Sequence, residues 1–414
     1  MAAARNSGDE SSEADSQPQP APPARRAVAV WIAAVGIAPV VVSSVYTLAG
    51  PAIRTTFHLS YDRWGLLAGA SMLGYGLAAL AGGVLLDLIA VAPLARATLL
   101  FAAAACVAGG IAPAWGALAA TMVVFGAAAG VLAVLPLVFF SDLYPRDRAR
   151  TMARWQLAIS FAAVLLPLAV GVLLAATGRR FGVGGGWRAL LFGCAPLFLI
   201  LLALAPGRSL GRRPVVESLT LERLAEVARR PMFAALLIIG MLHTAADNST
   251  YVWIVMLVKQ RFHAGADMTG VLAASYGLAY TVGRLVRSTL PWPWRPLPTI
   301  AGGSLVGAVI LGFALRADTL AAVIGLYAAA GIFFSLNWPS TLGYASERFP
   351  ARTGTVLGAV NAVTGPGTVV VSLVVGVLSQ HGGGVSTGML ILPALFLSLS
   401  VFAAAAHRRS RRFE

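Results

Sequence analysis

The sequence predicts an all-α integral membrane protein with twelve transmembrane helices in two pseudo-symmetric six-helix bundles. Three observations support this fold class. Apolar residues make up 58% of the 414-residue chain and charged residues only 11%, against about 45–50% and about 25% in an average soluble domain. Twelve apolar segments have roughly the length that crosses a bilayer as a helix. Two pairs of similar segments are separated by the same offset.

The repeat appears at two places in the chain. Residues 141–145 (SDLYP) return as 346–350 (SERFP), and residues 65–68 (GLLA) return as 270–273 (GVLA). Both pairs are 205 residues apart, which is close to half of the chain. Many transporters arise by duplication of a membrane-embedded half. The repeat therefore predicts two related halves that face one path.

The twelve predicted spans fall into two sets of six. Those of the first half are 27–49, 64–86, 93–112, 115–140, 153–177 and 187–205. Those of the second half are 232–258, 268–290, 297–315, 319–342, 354–378 and 386–406. The predicted regions are a disordered tail at 1–26, a bundle at 27–205, a central loop at 206–231, a bundle at 232–406 and a basic tail at 407–414.

Basic residues predict the orientation. Of the 31 Lys and Arg residues, 23 lie in segments on the side of the N-terminus, and cytoplasmic loops carry such an excess. We therefore expect a multi-pass protein of the plasma (cell inner) membrane with both termini in the cytoplasm. Basic loops beside an anionic leaflet account for the net charge of +15 without a nucleic-acid partner.

Chemical motifs of enzymes are missing from the sequence. It contains no phosphate-binding loop, paired catalytic carboxylates, metal-ligand cluster or nucleophile–base motif. Cys106 and Cys194 lie inside predicted spans, without the spacing of a metal site or disulfide framework. We therefore expect neither an enzyme nor an ATP-driven pump, and no cofactor or metal. Energy for uphill transport would come from an ion gradient.

Span 7 contains most of the polar side chains that are predicted to lie deep in the membrane. His243, Asp247 and Tyr251 are spaced i, i+4 and i+8, so they share one helix face. A charged group at this depth costs about 2.5–3.5 kcal/mol on insertion scales, and it should face a watery cavity or a partner. We expect His243 and Asp247 to form the proton-coupling site. The alternative is helix packing.

Span 8 repeats this spacing with Tyr276, Tyr280 and Arg284. Arg284 pairs with an anion of the solute, extends to the cytoplasmic surface of the membrane, or forms a structural pair. Aromatic faces and amide groups suit a small hydroxylated solute, and they would equally suit an amphipathic drug. The candidate solute-binding residues are Tyr46, Gln156, Asp247, Asn248, Trp253, Tyr276, Tyr280, Asn337, Trp338 and Asn361.

Charged residues at the predicted cytoplasmic ends of spans suggest gating or structural roles. Asp87 ends span 2, where it is either a latch for one conformer or a solvated surface charge. Asp142 and Glu347 are equivalent by the repeat, and each precedes a proline and arginines with which it can pair. The residues in this group are Asp87, Arg96, Asp142, Arg148, Arg284, Glu347 and Arg352.

Several segments resemble the major facilitator superfamily. Residues 50–53 (GPAI), 64–67 (WGLL) and 83–87 (GVLLD) are similar to the first hairpin of that family. Residues 186–188 (GWR) and 347–354 (ERFPARTG) are similar to family sequence as well. The resemblance extends from span 1 to span 12. It implies the fold of that superfamily and transport by alternating access.

A shorter resemblance narrows the family. Residues 243–253, followed by Gly283 and Arg284, resemble the fucose-permease-like and related sugar-porter branches, which place an acidic residue a few positions before a tryptophan. The chain also departs from the family. Most of the basic residues expected after Asp87 are replaced, and Pro167 in span 5 lacks the adjacent glycine of drug antiporters.

The leading hypothesis is a secondary active transporter of a small organic solute, sugar-like or organic acid-like, that works by proton symport. Its expected partners are the solute, a proton or other coupling ion, and the lipid bilayer, and we expect a monomer. One alternative is a proton-coupled exporter of amphipathic drugs, which the missing glycine in span 5 disfavours. Another is a transport-incompetent membrane sensor, which the incomplete motif near Asp87 suggests.

Overall fold

A computed structural model describes residues 23–88, 91–143, 148–206, 230–289, 295–349 and 353–410. These residues form helices joined by short connections, and no strand occurs among them. The helices of the first half are α1 (Pro23–Leu48), α2 (Gly50–Thr56), α3 (Tyr61–Leu88), α4 (Val91–Gly110), α5 (Trp115–Leu143) and α6 (Arg148–Ala203). Those of the second half are α7 (Pro231–Phe262), α8 (Ala266–Thr289), α9 (Pro296–Arg316), α10 (Leu320–Phe334), α11 (Asn337–Arg348), α12 (Thr353–His381), α13 (Val385–Gly388) and α14 (Ile391–Ser410).

The helices account for the twelve predicted membrane spans. Nine helical stretches of the described residues are long and apolar enough to cross a bilayer. The longest of them, 154–203, has 50 residues and contains two spans, because Gly182 interrupts α6 with a φ of 73° that glycine readily adopts. Helices α3 and α8 complete the set. The all-α fold with two six-helix bundles is thus confirmed.

Two of the predicted spans of the second half each consist of two consecutive helices. Span 10 consists of α10 and α11, which meet at Ser335 and Leu336. The hydroxyl of Thr319 caps α10 by accepting a hydrogen bond from the backbone N–H of Ala322 at 3.2 Å. Span 12 consists of α13 and α14. The junction in span 10 places the side chain of Asn337 at the start of a helix inside the membrane.

Arg188, in the GWR segment, stabilises the end of α4. Its two terminal nitrogens donate hydrogen bonds to the carbonyl oxygens of Gly110 and Ala112 at 2.7 and 2.9 Å. The last carbonyls of a helix lack partners within the helix, so a guanidinium that binds them acts as a cap. The same guanidinium lies 4.6 Å from the ring centre of Trp187. At this distance the guanidinium and the aromatic face attract each other.

The two halves meet through α3 against α12 and through α6 against α8. A Cβ atom on Gly65 of α3 would collide with the carbonyl oxygen of Ser372 in α12. A Cβ on Gly270 of α8 would stand 2.8 Å from the carbonyl oxygen of Pro167 in α6. Gly270 follows Gly65 by 205 residues, and Ser372 follows Pro167 by the same number. The residues of one contact between the halves are therefore related to those of the other contact by the 205-residue offset of the sequence repeat.

These contacts are concentrated at one end of the bundle. We call the end where α1 begins and α14 ends the terminal end, and the opposite end the distal end. Close glycine contacts join 61–76 of α3 to 362–376 of α12, and 163–171 of α6 to 266–277 of α8. Residues 61–76 and 266–277 form the first parts of α3 and α8, and both helices start at the distal end. The two halves are therefore in close contact at the distal end. The cytoplasmic location of the terminal end and the boundaries of the five regions stay predictions.

Candidate functional site

A cavity of about 260 Å³ lies between the two halves. Helices α1 and α6 line it from the first half, and α7 and α8 line it from the second. We call it the central cavity. A second cavity of about 160 Å³, the side cavity, shares Ser43, Asn248 and Tyr251 with it. The polar faces that the sequence predicts in spans 7 and 8 both contribute to the central cavity.

Asp247 is held by a group of tyrosines. The hydroxyl of Tyr276 donates a hydrogen bond to the carboxylate of Asp247, and the hydroxyl oxygen of Tyr280 lies 3.5 Å from that of Tyr276. The ring of Tyr276 stacks on Tyr327 of α10 with centres 4.3 Å apart. Stacking on one side and the hydrogen bond on the other fix the Tyr276 ring beside the carboxylate. A carboxylate that accepts one hydrogen bond keeps further acceptor sites on its two oxygens.

Arg284 lies at the end of the central cavity that is nearer to the terminal end. Its guanidinium carbon is 5.5 Å from the ring centre of Tyr280, and one terminal nitrogen donates to the hydroxyl of Ser160 in the other half at 3.5 Å. Its Nε is buried and has no hydrogen-bond partner among the described residues. A buried donor without a partner is costly, so this N–H is suited to a group of a bound solute.

His243 belongs to a separate network inside the second half. Its side chain is 2% exposed, and its Nδ1 lies 3.4 Å from Nδ2 of Asn337. The same amide nitrogen donates to the hydroxyl of Ser304 at 3.0 Å. The network therefore links α7, α11 and α9. His243 and Asp247 are one helical turn apart, but each contacts different helices.

Two further candidate residues line the cavities. Asn248 lines both of them, and its Nδ2 lies 3.7 Å from the sulfur of Met72 in the other half. Tyr46 lines the side cavity, with its ring 6.0 Å from that of Phe125. These two are the predicted solute-binding residues that accompany the tyrosines and Asp247.

Five other candidates are not among the described residues that line either cavity: Asn337, which belongs to the network around His243, and four more. Trp253 is fully buried toward the distal end, with its ring 6.4 Å from that of Tyr61. Trp338 and Asn361 are half-buried, and Gln156 is exposed one turn from Ser160. The assignment of all five to solute binding stays a prediction.

The gating residues are described only in part. Arg352 lies outside the described residues, as do the side chains of Asp87, Asp142 and Arg148. Arg96 donates to the carbonyl oxygen of Pro206 at 3.1 Å, which ties α4 to the end of α6. Glu347 is exposed near the end of α11.

Sequence reasoning missed Tyr327 and Ser160. Tyr327 is the only residue with a polar side chain in the apolar stretch 320–334, and that isolation was the available signal. It is fully buried against Tyr276. Ser160 gave no signal, because a serine in a membrane helix usually bonds to its own backbone, as this one does to the carbonyl oxygen of Gln156.

A third cavity, the distal vestibule, lies between the halves at the distal end and measures about 530 Å³. Its lining includes Arg54, Arg179 and Lys259, and none of its described lining residues is acidic. The guanidinium of Arg54 lies 3.9 Å from the ring centre of Tyr61. The vestibule therefore presents positive charge beside the distal contacts.

Comparisons with known proteins agree with this architecture. The sequence model of the Major Facilitator Superfamily matches residues 30–372. No curated protein matches the chain. A bacterial homologue of the human lysosomal transporter Spinster, in an inward-facing and occupied conformation, is 17% identical over 94% of this chain and 98% of its own, with a TM-score of 0.75.

Two further solved structures are similar. A D-xylose–proton symporter is 17% identical over 92% of this chain and 97% of its own, with a TM-score of 0.71. The nucleoside transporter NupG is 14% identical over 92% and 99%, also with a TM-score of 0.71. At these identities the likeness concerns the fold.

Proposed function

The chain belongs to the Major Facilitator Superfamily, whose members are transporters rather than enzymes, and from this premise we propose that it carries a small organic solute across the membrane together with a proton. The observation that carries the proposal is the pairing of Asp247 with Tyr276 in a cavity between the two halves. A site between two bundles can be exposed to one membrane side at a time when the bundles rock against each other.

The carboxylate of Asp247 supplies the proton site of this proposal. An acidic group within a membrane span is costly and commonly marks a proton or ion pathway. Tyr276 donates to Asp247, and the same hydroxyl can accept a hydrogen bond once the carboxyl group is protonated. The proton can therefore bind and leave without the loss of this contact.

The size of the cavities favours a small solute. The central and side cavities have volumes of about 260 and 160 Å³, and each is smaller than the range of about 300–1,000 Å³ that is typical of ligand pockets. The hydroxyls of Tyr276 and Tyr280 and the amide of Asn248 can bind hydroxyl groups of a sugar. The D-xylose–proton symporter and the nucleoside transporter of similar fold carry solutes that contain a sugar.

Arg284 makes an organic acid the second candidate. Its Nε, which has no hydrogen-bond partner among the described residues, could bind a carboxylate, and charge-assisted hydrogen bonds are stronger than neutral ones. A set of sugars and a set of small organic acids should therefore be tested side by side.

The test is uptake by the purified protein in proteoliposomes. We expect a member of one set to accumulate above its external concentration when the outside is made acidic, and to stop accumulating when a protonophore collapses the gradient. Accumulation that ignores the protonophore would contradict proton coupling. Binding without flux would contradict transport and favour a sensor, and expulsion of amphipathic compounds alone would favour a drug exporter.

A further inference from the structure

A groove at the terminal end lies on the second half, away from the central cavity. It is formed by the start of α7, the end of α11 and the end of α14, and has a volume of about 1030 Å³. We call it the terminal groove. Three arginines line it, Arg230, Arg348 and Arg409, and none of its described lining residues is acidic. Its inner wall is apolar and includes Ile238 and Phe402.

The arginines and the apolar wall lie at different depths. Arg230 precedes the first residue of α7, and Arg409 is next to the last residue of α14. Ile238 lies eight residues further along α7 than Arg230, which is about 12 Å at a rise of 1.5 Å per residue. The positive charge is therefore at the level where the helices leave the bilayer, and the apolar wall extends into it.

Arg230 is oriented by an aromatic contact. Its guanidinium lies 5.8 Å from the ring centre of Phe349, and this ring meets Phe233 of α7 edge-on at 6.5 Å. Phe349 lines the groove as well. The contact holds one positive charge at the mouth of the groove without neutralising it.

We propose that the terminal groove binds one anionic phospholipid. Arginine forms paired hydrogen bonds with phosphate oxygens, and basic pockets between membrane helices bind anionic lipid head groups. The head group would contact Arg230, Arg348 and Arg409, and an acyl chain would pack along Ile238 and Phe402. This arrangement matches the order of charge and hydrocarbon in a lipid, which neither free phosphate nor a soluble anion reproduces.

The experiment compares phosphatidylglycerol with phosphatidylcholine, which have similar tails but different head-group charge. The full-length protein is titrated with each lipid, and the bound lipid is counted by native mass spectrometry. We expect the wild type to bind phosphatidylglycerol in preference to phosphatidylcholine. The triple variant Arg230→Gln, Arg348→Gln, Arg409→Gln should lose this preference. Each arginine should contribute about fivefold to the affinity for phosphatidylglycerol, which corresponds to about 1 kcal/mol.

Two matched variants separate the groove from general charge. Arg295→Gln removes an exposed arginine at the same end, outside the groove, and should bind phosphatidylglycerol like the wild type. Ala405→Trp keeps all the arginines but fills the groove, where Ala405 is an exposed lining residue, and should lose the lipid. Thermal unfolding in phosphatidylcholine checks that each variant is folded.

Four results would overturn the proposal. The first is equal binding of both lipids by the wild type. The second is an equal loss in Arg295→Gln and the triple variant, which would indicate diffuse surface charge. The third is unchanged binding by Ala405→Trp. That result would mean that the head group contacts the arginines while the acyl chain lies outside the groove. The fourth is a dimer that Ala405→Trp dissociates, which would make a second copy of the chain the occupant.

Discussion

Gly171 in α6 rests against the backbone of Ala266 at the start of α8: a Cβ on Gly171 would stand 2.8 Å from the carbonyl oxygen of Ala266. The equivalent pair in the other interface is Gly376 against the carbonyl oxygen of Tyr61, since 376 and 266 follow 171 and 61 by 205 residues. Small residues let membrane helices approach closely. The distal contacts therefore depend on the absence of a side chain at these positions.

Gly171→Ala should open the distal end. The added methyl group meets backbone atoms, and overpacking of this kind costs about 1–3 kcal/mol. This cost falls only on the conformer in which the halves touch distally. A reporter cysteine in place of Thr269, which is buried beside the distal vestibule, should react about tenfold faster with a membrane-impermeant thiol reagent, as expected for about 1.4 kcal/mol.

The matched control is Gly193→Ala, also in α6, where a Cβ would meet no atom within 4 Å. It should leave the labelling rate unchanged. Equal rates in both variants would mean that the glycine contacts do not determine which conformer is populated.

Asp247→Asn should uncouple solute movement from the proton gradient. An amide cannot carry the proton, so the solute should equilibrate without accumulating, while counterflow exchange continues. Asp318→Asn is the control: this carboxylate is 93% exposed and pairs with Arg261 at the surface, where such pairs contribute little. Wild-type accumulation by Asp247→Asn with an unchanged pH profile would disprove the assignment.

Tyr276→Phe should change the pH dependence of uptake. The substitution removes a donor that favours the charged carboxylate of Asp247, and hydrogen bonds to charged groups contribute about 1.5–3 kcal/mol. Tyr327→Phe keeps the stacked ring and removes a buried hydroxyl that has no partner among the described residues. It should leave the pH profile unchanged and the thermal stability equal or higher. Identical profiles for the two variants would contradict a role of the Tyr276 hydroxyl.

His243→Ala should shift the pH dependence of uptake without eliminating transport. It should also lower thermal stability, because Asn337 loses a buried partner at a cost of about 1–3 kcal/mol. Ser304→Ala breaks the other contact of Asn337 but keeps the titratable ring. If both variants change stability and neither changes the pH profile, His243 has a structural role only.

The spans and the polar faces of spans 7 and 8 could be predicted from the sequence. Hydropathy determines which segments are helical in a bilayer, and a spacing of four residues brings Tyr276 and Tyr280 to one side of α8. The contact of Tyr276 with Asp247 follows because both faces turn toward the space between the halves.

The separation of His243 from Asp247 could not be predicted. A shift of four residues on a helix with 3.6 residues per turn rotates a side chain by about 40°. That rotation is enough for His243 to contact Asn337 in the second half while Asp247 lines the central cavity. Which neighbour each face meets depends on helix packing, and so does the stacking of Tyr327 from a distant helix.

The positive distal vestibule has a consequence for transport kinetics. A mouth that contains Arg54, Arg179 and Lys259 and no described acidic lining residue attracts anions, and low-dielectric walls concentrate that field. Dissolved ions screen it over about 8 Å at physiological ionic strength and over about 30 Å at 0.01 M. An anionic solute that enters from the distal side should therefore be taken up more slowly as salt is added, whereas a neutral sugar should not respond. The slope of the uptake rate against ionic strength thus reports the charge of the solute before its identity is known.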